Sequence, residues 1–128
     1  MRILGIDYGS KRIGIAVSDE AGQFALPVKV LANTPKILEE VEKIADENKT
    51  KEIVIGESKN YKGEPNAIFA ASEVFKKELE VSGFIVHSEP EFMTSVNAQR
   101  FQGKNEMHDA SAAALILQSY LDRLNSAK

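Results

Sequence analysis

Four acidic side chains stand where the apolar patterning of this 128-residue chain breaks off: Asp7 after the run Met1–Ile6, Glu57 after Ile53–Gly56, Glu91 soon after Phe84–His87, and Asp109 at the head of an alanine-rich stretch. Carboxylates gathered without basic partners repel one another, so such a cluster persists at neutral pH when protons or cations neutralise it. Hard divalent ions suit the task. Mg2+ or Mn2+ takes oxygen ligands, keeps several waters, and is shared between one or two carboxylates and a substrate phosphate. Two such ions about 4 Å apart activate a water and stabilise the leaving oxygen in phosphodiester cleavage. That chemistry needs acids on separate rigid elements, because loop acids alone do not fix the spacing of the ions. The expected catalytic and metal-holding set is therefore Asp7 and Asp109, completed by Glu57 or Glu91.

Each acid also has an innocent reading. Asp7 is suited to capping a tight turn, Asp109 to an ordinary helix N-cap, and Glu57 and Glu91 to solvated loops. Glu64, Glu89 and Glu106 lack the strand-end placement and are expected to face solvent. Lys11, Arg12, Lys59, Lys62, Arg100 and Lys104 fall on the segments that carry the acids, an arrangement suited to a polyanion whose backbone must reach bound cations. Exposed lysines that only solubilise are the alternative. Tyr8 and Tyr61 are placed to stack on bases, and His108 is read as a bystander beside Asp109.

Composition excludes other chemistries. There is no cysteine, hence no disulfide, thiolate metal site or thiol nucleophile. His87 and His108 are the only histidines, so a metal would be held mainly by oxygen. A net charge of −3 argues against non-specific coating of nucleic acid, though not against a local basic patch. No window approaches the length of an apolar membrane span, and a strand beginning at residue 2 leaves no signal-peptide pattern. The expectation is a cytoplasmic protein without membrane association, monomeric or homodimeric.

The elements that must position the acids follow from periodicity. Met1–Ile6 and Ile13–Asp19 read as a hairpin, and Phe24–Leu31 as a third strand put at an edge by Pro27. Thr34-Pro35 opens a helix with Ile37, Leu38, Val41, Ile44 and Ala45 on one face. Ile53–Gly56 is a short apolar run typical of a buried parallel strand. Pro65 opens a second helix, with Ile68, Ala71, Phe75 and Leu79 inward and Gly83 past its end. Phe84–His87 is the fifth strand, a short helix starts near Thr94 and stops at Gly103, and a last helix presents Ala110, Ala113, Ala114, Leu117, Leu121 and Leu124. The whole is one α/β domain over residues 1–128: a five-stranded mixed sheet, three antiparallel strands then two parallel, with helices on both faces. Ligands of such sheets gather at the carboxyl ends of the parallel strands.

The opening stretch Asp7-Tyr8-Gly9-Ser10-Lys11-Arg12-Ile13-Gly14-Ile15-Ala16-Val17-Ser18-Asp19 and the closing stretch Asp109-Ala110-Ser111-Ala112-Ala113-Ala114-Leu115-Ile116-Leu117-Gln118-Ser119-Tyr120-Leu121-Asp122 resemble those of the YqgF (RuvX) family. The resemblance implies a ribonuclease-H-like fold and a metal-dependent nuclease, acting on precursor 16S rRNA, with ribosomal particles as partners, or on branched DNA as a Holliday junction resolvase. Asp7 and Asp109 match the family motifs. The chain departs from them where the usual Gly-Leu-Pro is Gly56-Glu57-Ser58 and the usual Asp-Glu-Arg is Pro90-Glu91-Phe92, which keeps the acid and loses the arginine. Glu57 in turn resembles the strand-4 glutamate of the RuvC resolvases. Two other readings stand beside the nuclease. Asp-x-Gly before a hairpin also resembles the phosphate turn of actin-like ATPases, and a non-catalytic RNA-binding assembly factor would share the fold.

Overall fold

The computed structural model describes residues 2–9, 11–57, 67–90 and 107–126. Its elements are β1 (Leu4–Tyr8), β2 (Arg12–Ser18), β3 (Ala25–Ala32), α1 (Ile37–Glu47), β4 (Glu52–Glu57), α2 (Ala67–Val81), β5 (Ile85–Pro90) and α3 (Met107–Ser126). The sheet runs β3-β2-β1-β4-β5. β1, β2 and β3 pair antiparallel, and β4 and β5 join the other side of β1 in parallel. This is the expected mixed sheet.

Period-two alternation sorts the apolar residues of the sheet onto two faces. Leu4, Ile6, Ile13, Ile15, Ile53 and Ile55 pack with Ile37, Val41, Ile44 and Ala45 of α1 and with Phe75 and Leu79 of α2. Ile3, Ala16 and Val54 pack instead with Ala113, Ile116, Leu117 and Leu121 of α3. α3 thus covers one face, and α1 and α2 the other. Burying an aliphatic side chain of this size contributes about 1.5–3 kcal/mol, so the two clusters together are the main source of cohesion.

Pro27 does sit on an edge strand, beside an irregularity: the β2–β3 register passes from Ile15↔Lys29 to Ala16↔Pro27, so Val28 is the extra residue of a bulge. Gly83 follows α2 with φ +101, a backbone that glycine adopts without steric cost. The alanines of α3 allow close approach to the sheet. A Cβ added at Gly5 would stand 2.7 Å from Leu117 Cβ and 3.1 Å from the Ala113 carbonyl oxygen.

Several boundaries differ from the sequence reading. β1 starts later and runs further than Met1–Ile6, because its ladder with β2 continues through Asp7↔Gly14 and Tyr8↔Ile13. α1 begins at Ile37 rather than Pro35. Thr34 still shapes the entry: its Oγ1 accepts the Lys36 N–H at 3.2 Å and its carbonyl accepts the Ile37 N–H at 3.0 Å. β5 extends past His87 to Pro90, in register with Glu57. Leu124, expected on the buried face of the last helix, is 40% exposed. The short helix expected between Thr94 and Gly103 lies outside the described residues.

Candidate metal centre at the carboxyl ends of the central strands

Asp7 is the penultimate residue of β1, half-buried and opposite Gly14. By alternation it shares the face of Ile3 and Gly5, the face covered by α3. Tyr8 lies on the other face, partly buried against the α1–α2 core, with its ring 5.4 Å from that of Phe75. It is therefore a packing residue, not the free stacking platform its sequence position suggests.

Hydrogen bonds fix which way α3 runs. Gln118 accepts the Ala25 N–H at 2.9 Å and donates to the Gln23 carbonyl at 2.9 Å, while Asn125 donates to the Gly22 carbonyl at 3.1 Å. These partners lie at the β2–β3 turn, the end of the sheet where β1 begins, since Ser18 and Ile3 are bonded to each other there. The first turn of α3 therefore points toward the end of β1. From the Gly5 contact, Asp109 is one helical turn before Ala113, about 6 Å at 1.5 Å per residue. Asp7 is two strand residues after Gly5, about 6.6 Å at 3.3 Å per residue. Both positions lie on the α3 side of the sheet and beyond the Gly5 contact toward the end of β1, while the helix crosses the strands obliquely, since Ser119 and Arg123 reach Glu89 on β5. Asp109 is the third residue of α3, inside the helix rather than at its N-cap. His108 likewise belongs to the helix rather than to the preceding loop.

Glu57 closes β4, whose last pair with β1 is Ile6↔Ile55 and whose last pair with β5 is Glu57↔Pro90. It thus ends the strand next to Asp7. Glu91 lies outside the described residues, as do Lys59, Tyr61, Lys62, Glu64, Arg100, Lys104 and Glu106. Of the expected cationic residues, Lys11 and Arg12 are exposed at the β1–β2 turn.

That turn is held by a residue that sequence reading missed. The Asn33 side chain donates to the Gly9 carbonyl at 2.8 Å, and its backbone N–H donates to the Lys11 carbonyl at 2.9 Å. Gly9 itself is required by close approach, because a Cβ there would lie 2.5 Å from the Arg12 carbonyl oxygen. A lone asparagine after a strand carries no signal for this contact, which spans 24 residues.

Glu89 overturns its sequence reading as well. It is 3% exposed, not solvent-facing. Arg123 pairs with its Oε1, and the Ser119 hydroxyl donates to its Oε2 at 2.9 Å. Beside it, His87 Nε2 lies 3.2 Å from Glu52 Oε2, and the imidazole stacks on Tyr120 at 5.1 Å. Burial, and then the Glu52 carboxylate, raise the Tyr120 phenol above its ordinary value.

By residue type the expected set, Asp7, Asp109 and Glu57 or Glu91, would fit a hard divalent ion, which takes carboxylate oxygen rather than thiolate. Among the described residues no group of three or more His, Asp or Glu side chains forms such a site. None of their helices is long and apolar enough to cross a membrane.

This sheet order, with α3 crossing β1, is a ribonuclease-H-like fold. Solved structures share it over nearly the whole chain. Thermus thermophilus RuvC in complex with a Holliday junction substrate matches with a TM-score of 0.62 at 16% identity, covering 98% of each chain. Fowlpox virus resolvase with its substrate Holliday junction DNA matches with a TM-score of 0.60 at 14% identity, covering 97% of this chain and 99% of the other. The chain belongs to the RuvX family, described as Holliday junction resolvases, whose model matches residues 1–123. A Clostridium botulinum relative named "Putative pre-16S rRNA nuclease" is 38% identical over 98% of this chain and 99% of its own length. A Sulfurihydrogenibium relative of the same name is 34% identical over 97% and 92%. The resemblance of the opening and closing motifs is therefore borne out.

Proposed function

We propose that the chain is a single-domain, divalent-metal-dependent nuclease that hydrolyses phosphodiester bonds in structured nucleic acid, with the 5′ end of precursor 16S rRNA as its substrate. The observation that carries this reading is that α3, whose first turn holds Asp109, packs on the sheet face of Gly5 and Asp7, with β4 beside β1 ending in Glu57. Family membership and the names of the relatives support the substrate class.

In this reading Asp7, Asp109 and either Glu57 or Glu91 hold Mg2+ or Mn2+. A bound ion of this kind supplies Lewis acidity at the phosphate and acidifies a coordinated water. The chain's own contribution is placement. The β1–β2 ladder fixes Asp7, the length of α3 fixes Asp109, and Asn33 holds the turn from which Lys11 and Arg12 reach solvent to meet phosphates. Lys59, Lys62, Arg100 and Lys104 extend that contact in the same proposal.

Cleavage of a four-way DNA junction is the second reading, favoured by the junction-bound neighbours of the same fold. The test is cleavage of precursor rRNA and of a four-way junction by purified protein, with Mg2+ or Mn2+ and after chelation. We expect metal-dependent cutting of the rRNA precursor that Asp7→Asn removes. RNA binding without cleavage by the wild type would instead indicate a non-catalytic assembly factor, and activity unchanged in Asp7→Asn would overturn the site.

A further inference from the structure

Glu89 stands in one rung of the sheet with Gly56, its β4 partner, and on the face covered by α3. A buried glutamate is rare without a partner, and this one has two, both on α3: Arg123 and Ser119. Arg123 is 61% exposed while the Glu89 side chain is only 4% exposed, so the guanidinium lies over the carboxylate from the solvent side. What the pair joins matters more than its own energy. One end belongs to β5, where the next residue, Pro90, is in register with Glu57 and the one after it in sequence is Glu91. The other end belongs to α3, an unbroken helix from Met107 to Ser126 that contains Asp109.

We propose that Glu89 is a positioning residue: its clamp to Arg123 and Ser119 sets the carboxyl end of β5, and with it the end of β4 that carries Glu57, in register with the helix that carries Asp109. The inference rests on the metal-centre reading and goes beyond it by assigning a role to three residues outside the ligand set. Glu57 is tied to the clamped end because its register partner on β5 is Pro90, the residue after Glu89. Gly56 supports the geometry, since it puts no side chain in the rung between Glu89 and β1. Glu89 is not counted among the ligands, because the guanidinium already neutralises its charge and its role runs through the strand it anchors.

The test is Mn2+ binding by the full-length protein, read from the loss of the free-ion paramagnetic resonance signal, in wild type, Asp7→Asn, Glu89→Gln and Arg123→Gln. Melting temperature is measured alongside without metal. Glu89→Gln keeps the shape and the serine contact but loses the charge opposite Arg123, and Arg123→Gln removes the exposed partner, so the melting temperature measured alongside shows how much stability each change costs. We expect both to weaken Mn2+ binding about tenfold, the lower end of what residues supporting metal ligands do, and the double variant to be no worse than the single ones. A purely structural clamp would lower the melting temperature and leave Mn2+ affinity at the wild-type value. That result overturns the inference while leaving the metal centre intact. Wild-type binding that Asp7→Asn does not weaken overturns the metal centre itself, and the inference with it.

Discussion

Replacing Gly5 by alanine tests how tightly the site's scaffold is drawn together. The new methyl carbon would stand 2.7 Å from Leu117 Cβ and 3.1 Å from the Ala113 carbonyl oxygen. An ordinary carbon–carbon contact needs about 3.5–4.0 Å. Neither obstacle is the free end of a flexible side chain, so α3 must retreat from β1 by about 1 Å, the shortfall against that contact distance. Overpacking of this kind costs about 1–3 kcal/mol. Against it stands a gain of about 0.4–1 kcal/mol from stiffening the unfolded chain, which leaves a net loss of up to about 2.6 kcal/mol, with about 1–2 kcal/mol the middle of that range. With an unfolding entropy of about 2.1 cal/mol/K per residue over 128 residues, each kcal/mol is worth about 4 °C, and scanning calorimetry should show the melting temperature reduced by about 4–8 °C. In the proposed metal centre the same displacement would draw Asp109 away from Asp7, so Mn2+ titration should show weaker binding than in wild type. A Gly5→Ala protein that melts at or above the wild-type temperature with unchanged Mn2+ affinity would refute the close approach on which the site is built.

Other outcomes follow from single contacts. Asn33→Ala loses the 2.8 Å bond to the Gly9 carbonyl, which should lower stability by about 1 kcal/mol and speed amide exchange at the β1–β2 turn relative to the rest of the sheet. Leu117→Ala, at a fully buried position, should cost about 2–5 kcal/mol, read from urea unfolding midpoints. Asp19 accepts N–H bonds from Gln23 at 2.8 Å and Phe24 at 3.1 Å, and these hold its carboxyl below the ordinary aspartate value. The folded value is thus depressed relative to the unfolded one, so its contribution is present above the ordinary aspartate range and is lost as pH falls through the lower folded value. Asp19→Asn should therefore show a shallower acid limb in a plot of melting temperature against pH. Saturating Mn2+, at about a hundred times its dissociation constant, should stabilise the wild type by about 2.7 kcal/mol and should not stabilise Asp7→Asn.

What could be read in advance was local. Pro27 lacks the N–H a central strand needs, Gly83 marks a left-handed helix end, and the alanines of the last helix anticipate its approach to Gly5. The apolar continuity of Ile53–Gly56 likewise reveals a strand flanked on both sides. The misreadings are cases where distant partners decide. Glu89 looks solvated beside Glu91 because its partners, Ser119 and Arg123, lie 30 and 34 residues away. Tyr8 looks exposed beside a turn, but strand alternation turns it onto Phe75. β1 extends through Asp7 because β2 supplies pairing partners that no apolar pattern announces. Asp7 and Glu57 do stand at the carboxyl ends of β1 and β4, where the apolar patterning breaks off, whereas the direction of α3 rests on Gln118 and Asn125 reaching the β2–β3 turn.

The most direct measurement is a crystal structure of the protein soaked in manganese, with the ions located by anomalous scattering. Density bridging the carboxylates of Asp7 and Asp109 is expected, with one oxygen ligand from Glu57 or Glu91. Manganese bound elsewhere, or those two aspartates facing away from each other, would contradict the proposed metal centre.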